Sequence, residues 1–459
     1  MAFDSFTEFY VTKHVSAAIT NGGSGVGDGI DLADVDAFHD GAGVHTLTDQ
    51  GADGFAGTNV GDFICWDTAG AAEYARVTAV TSDDIIVVQN MVGAVQFTAL
   101  TEKAVTVGGA WATVDHAAAT ITTSFVDSNG YPPRVNIAYD AADYDEEVEF
   151  LNAGTVAIPL TFEGYYATAG DECMNGTTFT PPTIDGGAGA GQAGTLLANA
   201  PVDYVRIRNL KVLAETNNAD CINTTTVDHS LFDRLWLKAT GTTADGIHCT
   251  GISNEYKNIF IESVTSYGIF STLYDLYMGV YIRKANIGLS VGSYSTVLNC
   301  IVEDTANDSV RISGTGIRVV NSVFYDSAYH GIYAAGMAKN GLSVINCIFD
   351  TIVGDAIKGG GVMFVTEVHN SFRACGGVRH ANILSDPVGN TTHAADPFTN
   401  AGAHDFSLNN NTPGGAQLRS QGFPGTMLDG TNIGYRDIGA LQVEAAAGGA
   451  ALSRVRLGM

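Results

Sequence analysis

Apolar and polar residues alternate in a recurring set of short runs from about residue 204 onward: YVRIRNLKV from Tyr204, FDRLWLKA from Phe232, YKNIFIESV from Tyr256, YMGVYIRKA from Tyr277, TVLNCIVED from Thr296, IRVVNSVFYD from Ile317, LSVINCIFD from Leu342 and VTEVHNSFR from Val365. A period of two marks a strand with one face in a core. Aligned on a shared pivot, the runs place Asn209, Arg234, Asn258, Gly279, Asn299, Asn321, Asn346 and Asn370 in step, roughly 20 to 25 residues apart, a spacing typical of solenoids. A second register keeps pace between them: DGIHCTG from Asp245, YGIFSTL from Tyr267, IGLSVGS from Ile287, DSVRISG from Asp308, HGIYAAG from His330 and DAIKGGG from Asp355, with Asp220, Cys221 and Ile222 one turn earlier.

Two short strands per turn, punctuated by Gly, Asn, Asp and Ser, leave no room for a helix in each turn. The economical solution is an all-β fold, a right-handed parallel β-helix, in which each coil pairs with the next at about 4.8 Å. Leucine-rich repeats would show a Leu-x-x-Leu-x-Leu frame, and propeller blades need about 40 residues. The pivots Asn299, Asn321, Asn346 and Asn370 are expected to stack as a structural amide ladder; the competing explanation is ordinary turn propensity. Cys221, Cys249, Cys300 and Cys347 take inward positions and read as small core fillers.

Outside the repeats the pattern changes. Residues 1–104, with the runs DFICWDT, EYARVTAV and DIIVVQNMV, read as a small N-terminal β-rich module. Residues 105–133 read as a capping helix and connection, with Trp111, Val114, Ala118 and Ile121 on one helical face. The β-helix is assigned to residues 134–442, starting with irregular coils at Arg134, Ala157 and Pro182 and ending in NIGYRDIGALQ from Asn432. An Ala/Gly linker and basic C-terminal tail fill 443–459, where Arg454, Arg456 and Leu457 are the expected assembly contact.

The chain has 459 residues, of which 49 are acidic and 22 basic, for a formal net charge of -27. That balance argues against a nucleic-acid partner, because phosphate binding needs Lys and Arg. No apolar run approaches the roughly 18 residues of a membrane span, so no membrane insertion is expected. The opening MAFDSFTEF has neither a positive nor an apolar signal region, so no cleaved export signal is expected. Seven scattered cysteines without a CxxC pair suit free thiols better than zinc or disulfides.

With those residues laid out, residues 105 to 442 resemble right-handed β-helix proteins of the pectate-lyase-like superfamily, through the GGAWATVDHAA segment, the repeated coils and the closing RDIGALQ. The opening FTEFYVTKH and GGSGVGDGIDL are similar to their usual beginning. Within the superfamily the chain looks most like bacteriophage virion surface proteins: tailspikes, fibres and capsid decorations. That resemblance implies a non-enzymatic structural protein of a phage particle exterior, located in the virion and docked through its termini. Its partners would be other virion proteins or copies of itself, with a trimer as one arrangement, and cell-surface polysaccharide.

The resemblance also carries alternatives: a polysaccharide depolymerase or lyase, whose carboxylates would hold Ca²⁺, and a bacterial surface adhesin. No cofactor is expected otherwise. VDHS from Val227 is similar to a lyase Asp-His pair but lacks the surrounding aromatics. The stronger catalytic constellation is Asp304, Asp308, Asp326 and His330, in matching positions of successive coils. Against it, Asp245, Asp308 and Asp355 recur at one place in the turn motif, where Asp binds backbone N–H groups. Turn chemistry recurs in every coil, whereas catalysis should break the pattern. Aromatics gather from Tyr256 to Tyr294, His404 and Asp405 lie in a late loop, and no Walker loop, dinucleotide fingerprint, GxSxG or HExxH occurs.

Overall fold

The computed structural model describes residues 6–11, 26–39, 44–49, Phe55, 63–68, 71–90, 100–109, Trp111, 113–126, 130–175, 178–186, 194–199, 201–214, 219–335, 341–377, 380–385, 387–419 and Gln421. The fold is mostly β, a parallel β-solenoid of about nine turns, and the described residues include two short α-helices. Two compact units make up the chain, one from Met1–Ile184 with Val202–Leu210, the other from Asp185–Pro201 with Lys211–Met459.

In the second unit each coil contributes to three parallel ladders. The first stacks Gly194–Ala198, Asp220–Thr224, Ile247–Cys249, Tyr267–Phe270, Ile287–Val291, Val310–Ile312, Ile332–Ala334 and the start of Ile357–Val368. The second includes Glu255–Lys257, Leu276–Met278, Thr296–Leu298, Arg318–Val320 and Leu342–Ile345. The third includes Phe260–Glu262, Tyr281–Arg283, Ile301–Thr305, Val323–Ser327, Ile348–Ile352 and Ser371–Arg373.

Left-handed residues turn the chain between ladders. Arg234, Asn258, Gly279, Asn299, Asn321 and Asn346, with φ from 50° to 67°, join the second ladder to the third. Asn tolerates this region because its short amide can bond locally, and Gly because it has no Cβ. Asn346 Nδ2 donates to Asn321 Oδ1 at 3.1 Å, one amide link within that column. Asn370 stands apart from it: the left-handed residue of its coil is His369, and Asn370 instead accepts the Cys347 N–H at 2.9 Å. The pairings Ile345↔Val368 and Ile348↔Ser371 put His369 opposite Asn346, and Asn370 opposite Cys347, so Asn370 is one place beyond the pivot.

Inside, side chains stack in the same register. Phe232, Tyr256 and Tyr277 form one ring column at 5.4 and 5.1 Å, and Phe324, Phe349 and Phe372 another at 5.1 and 5.2 Å. Cys221, Cys249, Cys300 and Cys347 are fully buried, and burial pushes the Cys300 and Cys347 thiols up to about 12, so these sulfurs stay protonated packing groups.

The C-terminal end of the coils departs from the sequence expectation. Beyond Thr391–Thr392 the described chain stops coiling: Phe398–Asn400 and Asp405–Leu408 pair antiparallel, and the helix Gly415–Leu418 follows. Phe398, Ala401, Phe406, Leu408 and Leu418 pack on Val323 and Ile348, with Tyr281, Ile301 and Tyr325 alongside. This strap therefore covers the outer side of the third ladder, and residues 398–418 do not continue the coils. The proposed last strand, NIGYRDIGALQ, and Arg454, Arg456 and Leu457 lie outside the described residues.

The first unit contains a closed barrel of six strands, Val26–His39, Val44–Asp49, Ile85–Asn90, Ala71–Ser82, Phe63–Thr68 and Leu100–Gly109. Leu47, Ile64, Ala75, Val77, Ile86 and Val88 fill its core. Thr7–Val11, which the sequence assigned to this module, instead pairs in parallel with Pro133–Ala138 and so belongs to the first coil. Trp111 is not on the helix face either. It forms a bridge with Val11 and stacks on Phe9 at 5.6 Å, and the helix runs only from Val114 to Thr120, capped by the Thr113 hydroxyl.

Candidate functional site

The turn motif repeats a specific bond. Asp220 Oδ1 accepts the backbone N–H of Asp245 at 2.7 Å, and Asp245 Oδ1 accepts that of Tyr267 at 2.8 Å. Four coils after Asp245, His330 takes the same part, its Nδ1 accepting the N–H of Asp355 at 3.1 Å. At Asp220, Asp245 and His330 the side chain thus fastens one coil to the next, while Tyr267 and Ile287 hold the same register position without such a bond. Burial lowers the His330 pKa; the ring is neutral, and a ring accepting at Nδ1 carries its proton on Nε2. The Asp355 carboxylate, 3.8 Å from Nδ1, is therefore a polar neighbour rather than an ion-pair partner.

Asp308 breaks the series. Its side chain is 1% exposed, its Oδ2 receives both Nε and Nη2 of Arg311 at 3.1 and 2.8 Å, and its Oδ1 has no hydrogen-bond partner. The homologous bond from the His330 N–H is not made. A buried carboxylate oxygen without a partner is costly, about 1–3 kcal/mol or more, so this position differs in kind from Asp220 and Asp245.

Three residues along from this position the parallel register aligns Asn223, His248, Phe270, Ser290, Arg311, Tyr333 and Lys358 in one column, half-buried in every coil except at Ser290, which is buried. Strand alternation explains the exposure: in Val310–Ile312 and Ile332–Ala334 the middle residue is half-buried between two buried ones. His248 stacks on Phe270 at 4.7 Å, and the Arg311 guanidinium carbon lies 5.8 Å from the Tyr333 ring centre. Lys358 Nζ meets Asp355 Oδ2 at 3.1 Å, and His330 sits between Tyr329 and Tyr333 at 4.8 and 5.6 Å.

The four residues proposed from sequence divide between two places. Asp308 and His330 are buried on the first ladder. Asp304 and Asp326 are exposed left-handed residues within the third-ladder strands Ile301–Thr305 and Val323–Ser327, with φ of 52° and 51°. Burial and, secondarily, Asp304 raise the Asp326 pKa. Sequence reasoning missed Arg311, Tyr333 and Lys358, although each is the fourth residue of a motif already aligned; that fourth position was the available signal.

Other polar clusters are committed internally. Asp220, Asp245 and His248 have ligand atoms within 4.8 Å of one another, a donor set closer to zinc than to calcium, which takes six or more oxygens. Yet both Oδ1 atoms hold backbone N–H groups, Asp220 Oδ2 takes Asn223 at 2.6 Å, and Asp245 Oδ2 takes His248 at 2.9 Å. Under the strap, Glu303 receives the Tyr281 hydroxyl and lies 2.7 Å from His404 Nδ1; its pKa is raised, chiefly by burial. In the first unit Arg134 bridges Glu8 and Glu163, at 2.5 and 3.3 Å.

No family model matches the sequence, and no curated protein matches it. Solved structures similar to the chain include an alginate lyase from Paenibacillus sp. str. FPU-7, at 14% identity over 58% of this chain and 97% of that one, with a TM-score of 0.39. The catalytic domain of a GH87 alpha-1,3-glucanase in complex with tetrasaccharides matches at 10% identity over 80% and 90%, with a TM-score of 0.35. The tailspike protein gp49 from Pseudomonas phage LKA1 matches at 10% identity over 80% and 61%, with a TM-score of 0.20. Likeness at this level decides neither fold nor activity: the β-solenoid rests on the chain's own strand register, and activity is argued from its side chains.

Proposed function

We propose that the chain is a polysaccharide-binding β-solenoid that holds an extended glycan along the column from Asn223 to Lys358. The supporting observation is the register: half-exposed side chains able to stack or hydrogen-bond recur along one face, in every coil of the column except that of the buried Ser290. Phe270 and Tyr333 offer rings for sugar C–H faces, while Asn223 and His248 offer polar atoms for hydroxyls. A polymer of repeating sugars meets a protein of repeating coils, each presenting one contact about every 4.8 Å.

Titration against a panel of bacterial polysaccharides, with reducing-end and unsaturated-uronate release read in the same samples, tests this. Binding that is lost in a His248→Ala, Tyr333→Ala double variant with wild-type thermal stability supports the reading. Binding unchanged in that variant, or absent for every glycan, overturns it. Product release would make the protein a depolymerase; binding without product would leave it non-enzymatic.

A second reading, a structural component of a phage particle exterior, draws support from the fastening bonds, since Asp220, Asp245 and His330 use their acceptors to stiffen the stack. Its partners would be other virion proteins or sister copies, in a three-fold assembly on the virion. Sedimentation of the full chain tests the sister-copy arrangement: a trimer supports it, and a monomer at every concentration counts against it.

A further inference from the structure

We infer that the outer face of the second ladder is a self-association surface, on which a second copy of this chain docks about a two-fold axis with the two coil stacks antiparallel. The inference goes beyond both functional readings, and its failure leaves them standing. The ladder's register builds an apolar column of Met278, Leu298, Val320, Ile345, Val368 and Val388, one residue per coil over about 24 Å. Four residues earlier in each coil, at the corner that opens the ladder, stand Tyr274, Tyr294, Gly316, Gly341, Phe364 and Leu384. Tyr274, Tyr294, Phe364, Leu384 and Val388 are 54%, 57%, 64%, 52% and 56% exposed, so most of the large exposed apolar side chains described in this unit gather on one face. The third ladder has its strap, whereas these side chains stand open to solvent.

The face is its own complement, as an interface between identical chains about a two-fold must be. An axis along the strands reverses the order of the coils and keeps position within each coil, so the apolar column meets itself. Val320 then faces the second copy's Ile345, Leu298 its Val368 and Met278 its Val388. The corner column does the same, with Tyr294 against the second copy's Phe364 and Tyr274 against its Leu384. Gly316 and Gly341 fall at the centre, where the missing side chains leave room for the rings. The Tyr294 ring already lies over Gly316, 2.7 Å from where a Cβ would stand. Between the two columns run Thr296, Arg318, Ser343 and Thr366, and the same axis places Arg318 against the second copy's Ser343. A two-fold along the coil axis would instead set Arg318 on the second copy's Arg318, a like-charge contact that counts against it. Charge also selects the face. A chain of net charge -27 repels its copies, yet among the described residues Arg318 is the only charged side chain in the three columns from Tyr274 to Val388. The patch, about 24 Å by about 13 Å, is smaller than the roughly 800 Å² per partner of a standard interface, so the pair is weak and forms with concentration.

Sedimentation equilibrium of the full chain over a concentration series reads the pair. A monomer–dimer equilibrium weakened at least tenfold by Phe364→Asp, and unchanged by Val353→Asp at a corner equally exposed but off this face, supports the surface. Orientation is read with a short bis-maleimide on mixed variants. Antiparallel docking links Met278→Cys chains to Val388→Cys chains more than it links either variant to itself, with the wild-type chain giving the background from native thiols. A trimer, a dimer insensitive to Phe364→Asp, or mixed linking no greater than self-linking overturns the inference. A monomer at every concentration overturns it as well. If Tyr294 and Phe364 resist hydroxyl radicals in that monomer, residues beyond Gln421 are the occupant instead. Each variant's thermal midpoint shows whether a loss comes from unfolding.

Discussion

The backbone N–H of Tyr267 donates to Asp245 Oδ1 at 2.8 Å, so a side chain in one coil closes the backbone of the next. The same carboxylate holds His248 through Oδ2. Asp245→Ala leaves a buried N–H unpaired and is expected to cost about 1–3 kcal/mol in urea unfolding. Asp308→Ala removes an oxygen that bonds nothing and a tie to one half-exposed Arg311. Its cost is expected to be smaller than that of Asp245→Ala. An equal or larger loss would mean that Asp308 is another fastening residue.

Close backbone approach makes a second prediction. A Cβ added at Gly292 would sit 1.1 Å from the Thr272 carbonyl oxygen in the preceding coil. Neither atom belongs to a flexible side chain, so relief requires moving two coils apart. Gly292→Ala is expected to lower stability by more than about 3 kcal/mol, at the severe end for single substitutions. A thermal midpoint within a few degrees of wild type would show that the coils are not stacked as closely as described.

Asp275 should make stability depend on pH. Burial raises its pKa from 3.8 to about 6, although the Ser271 hydroxyl and the Asn254 N–H oppose that shift. A raised acid favours the protonated fold: its contribution is complete below the unfolded value and disappears as pH rises through about 6. Asp275→Asn keeps the neutral form throughout. Relative to wild type, the variant is expected to gain on the order of 3 kcal/mol between pH 4 and pH 7. Asp220 shifts in the same direction, and His393, lowered to about 4 chiefly by burial, acts oppositely, losing its contribution as pH falls from 6.5 through 4. The difference between variant and wild type isolates Asp275; a flat difference across that range would contradict its burial as an ion.

Much of this architecture was legible because a solenoid writes its contacts into a local period. The alternation in runs such as YKNIFIESV and the pivot residues from Arg234 to Asn346 recur at the interval of one coil, so position in the repeat gives position in space. Contacts that skip the period were not legible. Phe398 and Phe406 return to Tyr325 at 6.0 and 5.4 Å, and Thr7–Val11 crosses an inserted barrel to reach Pro133–Ala138. Neither relationship has a repeat to announce it. The candidate site was half legible: Asp308 and His330 stood out as titratable residues, while Arg311, Tyr333 and Lys358 became a column only through the strand register.

The strap gives a further expectation. Phe406 is buried and packs edge-on against Tyr281 at 6.4 Å and Tyr325 at 5.4 Å. Phe406→Ala is expected to cost about 3–5 kcal/mol if the strap and coils unfold together. It should also raise hydrogen exchange in Tyr281–Arg283 and Val323–Ser327, with the first ladder unchanged. Exchange that rises across all three ladders would show that the strap holds the whole stack rather than covering one side.

The most direct test of the glycan face is hydroxyl-radical footprinting of the full chain with and without a glycan bound in the polysaccharide panel. Protection is expected at His248, Phe270 and Tyr333, which share the outward column. Tyr274 and Tyr294, stacked at 5.2 Å and exposed at a separate corner, should react equally in both samples and serve as the internal reference. Protection of Tyr274 and Tyr294 with the column untouched, or no protection at either, would contradict the assignment of this face.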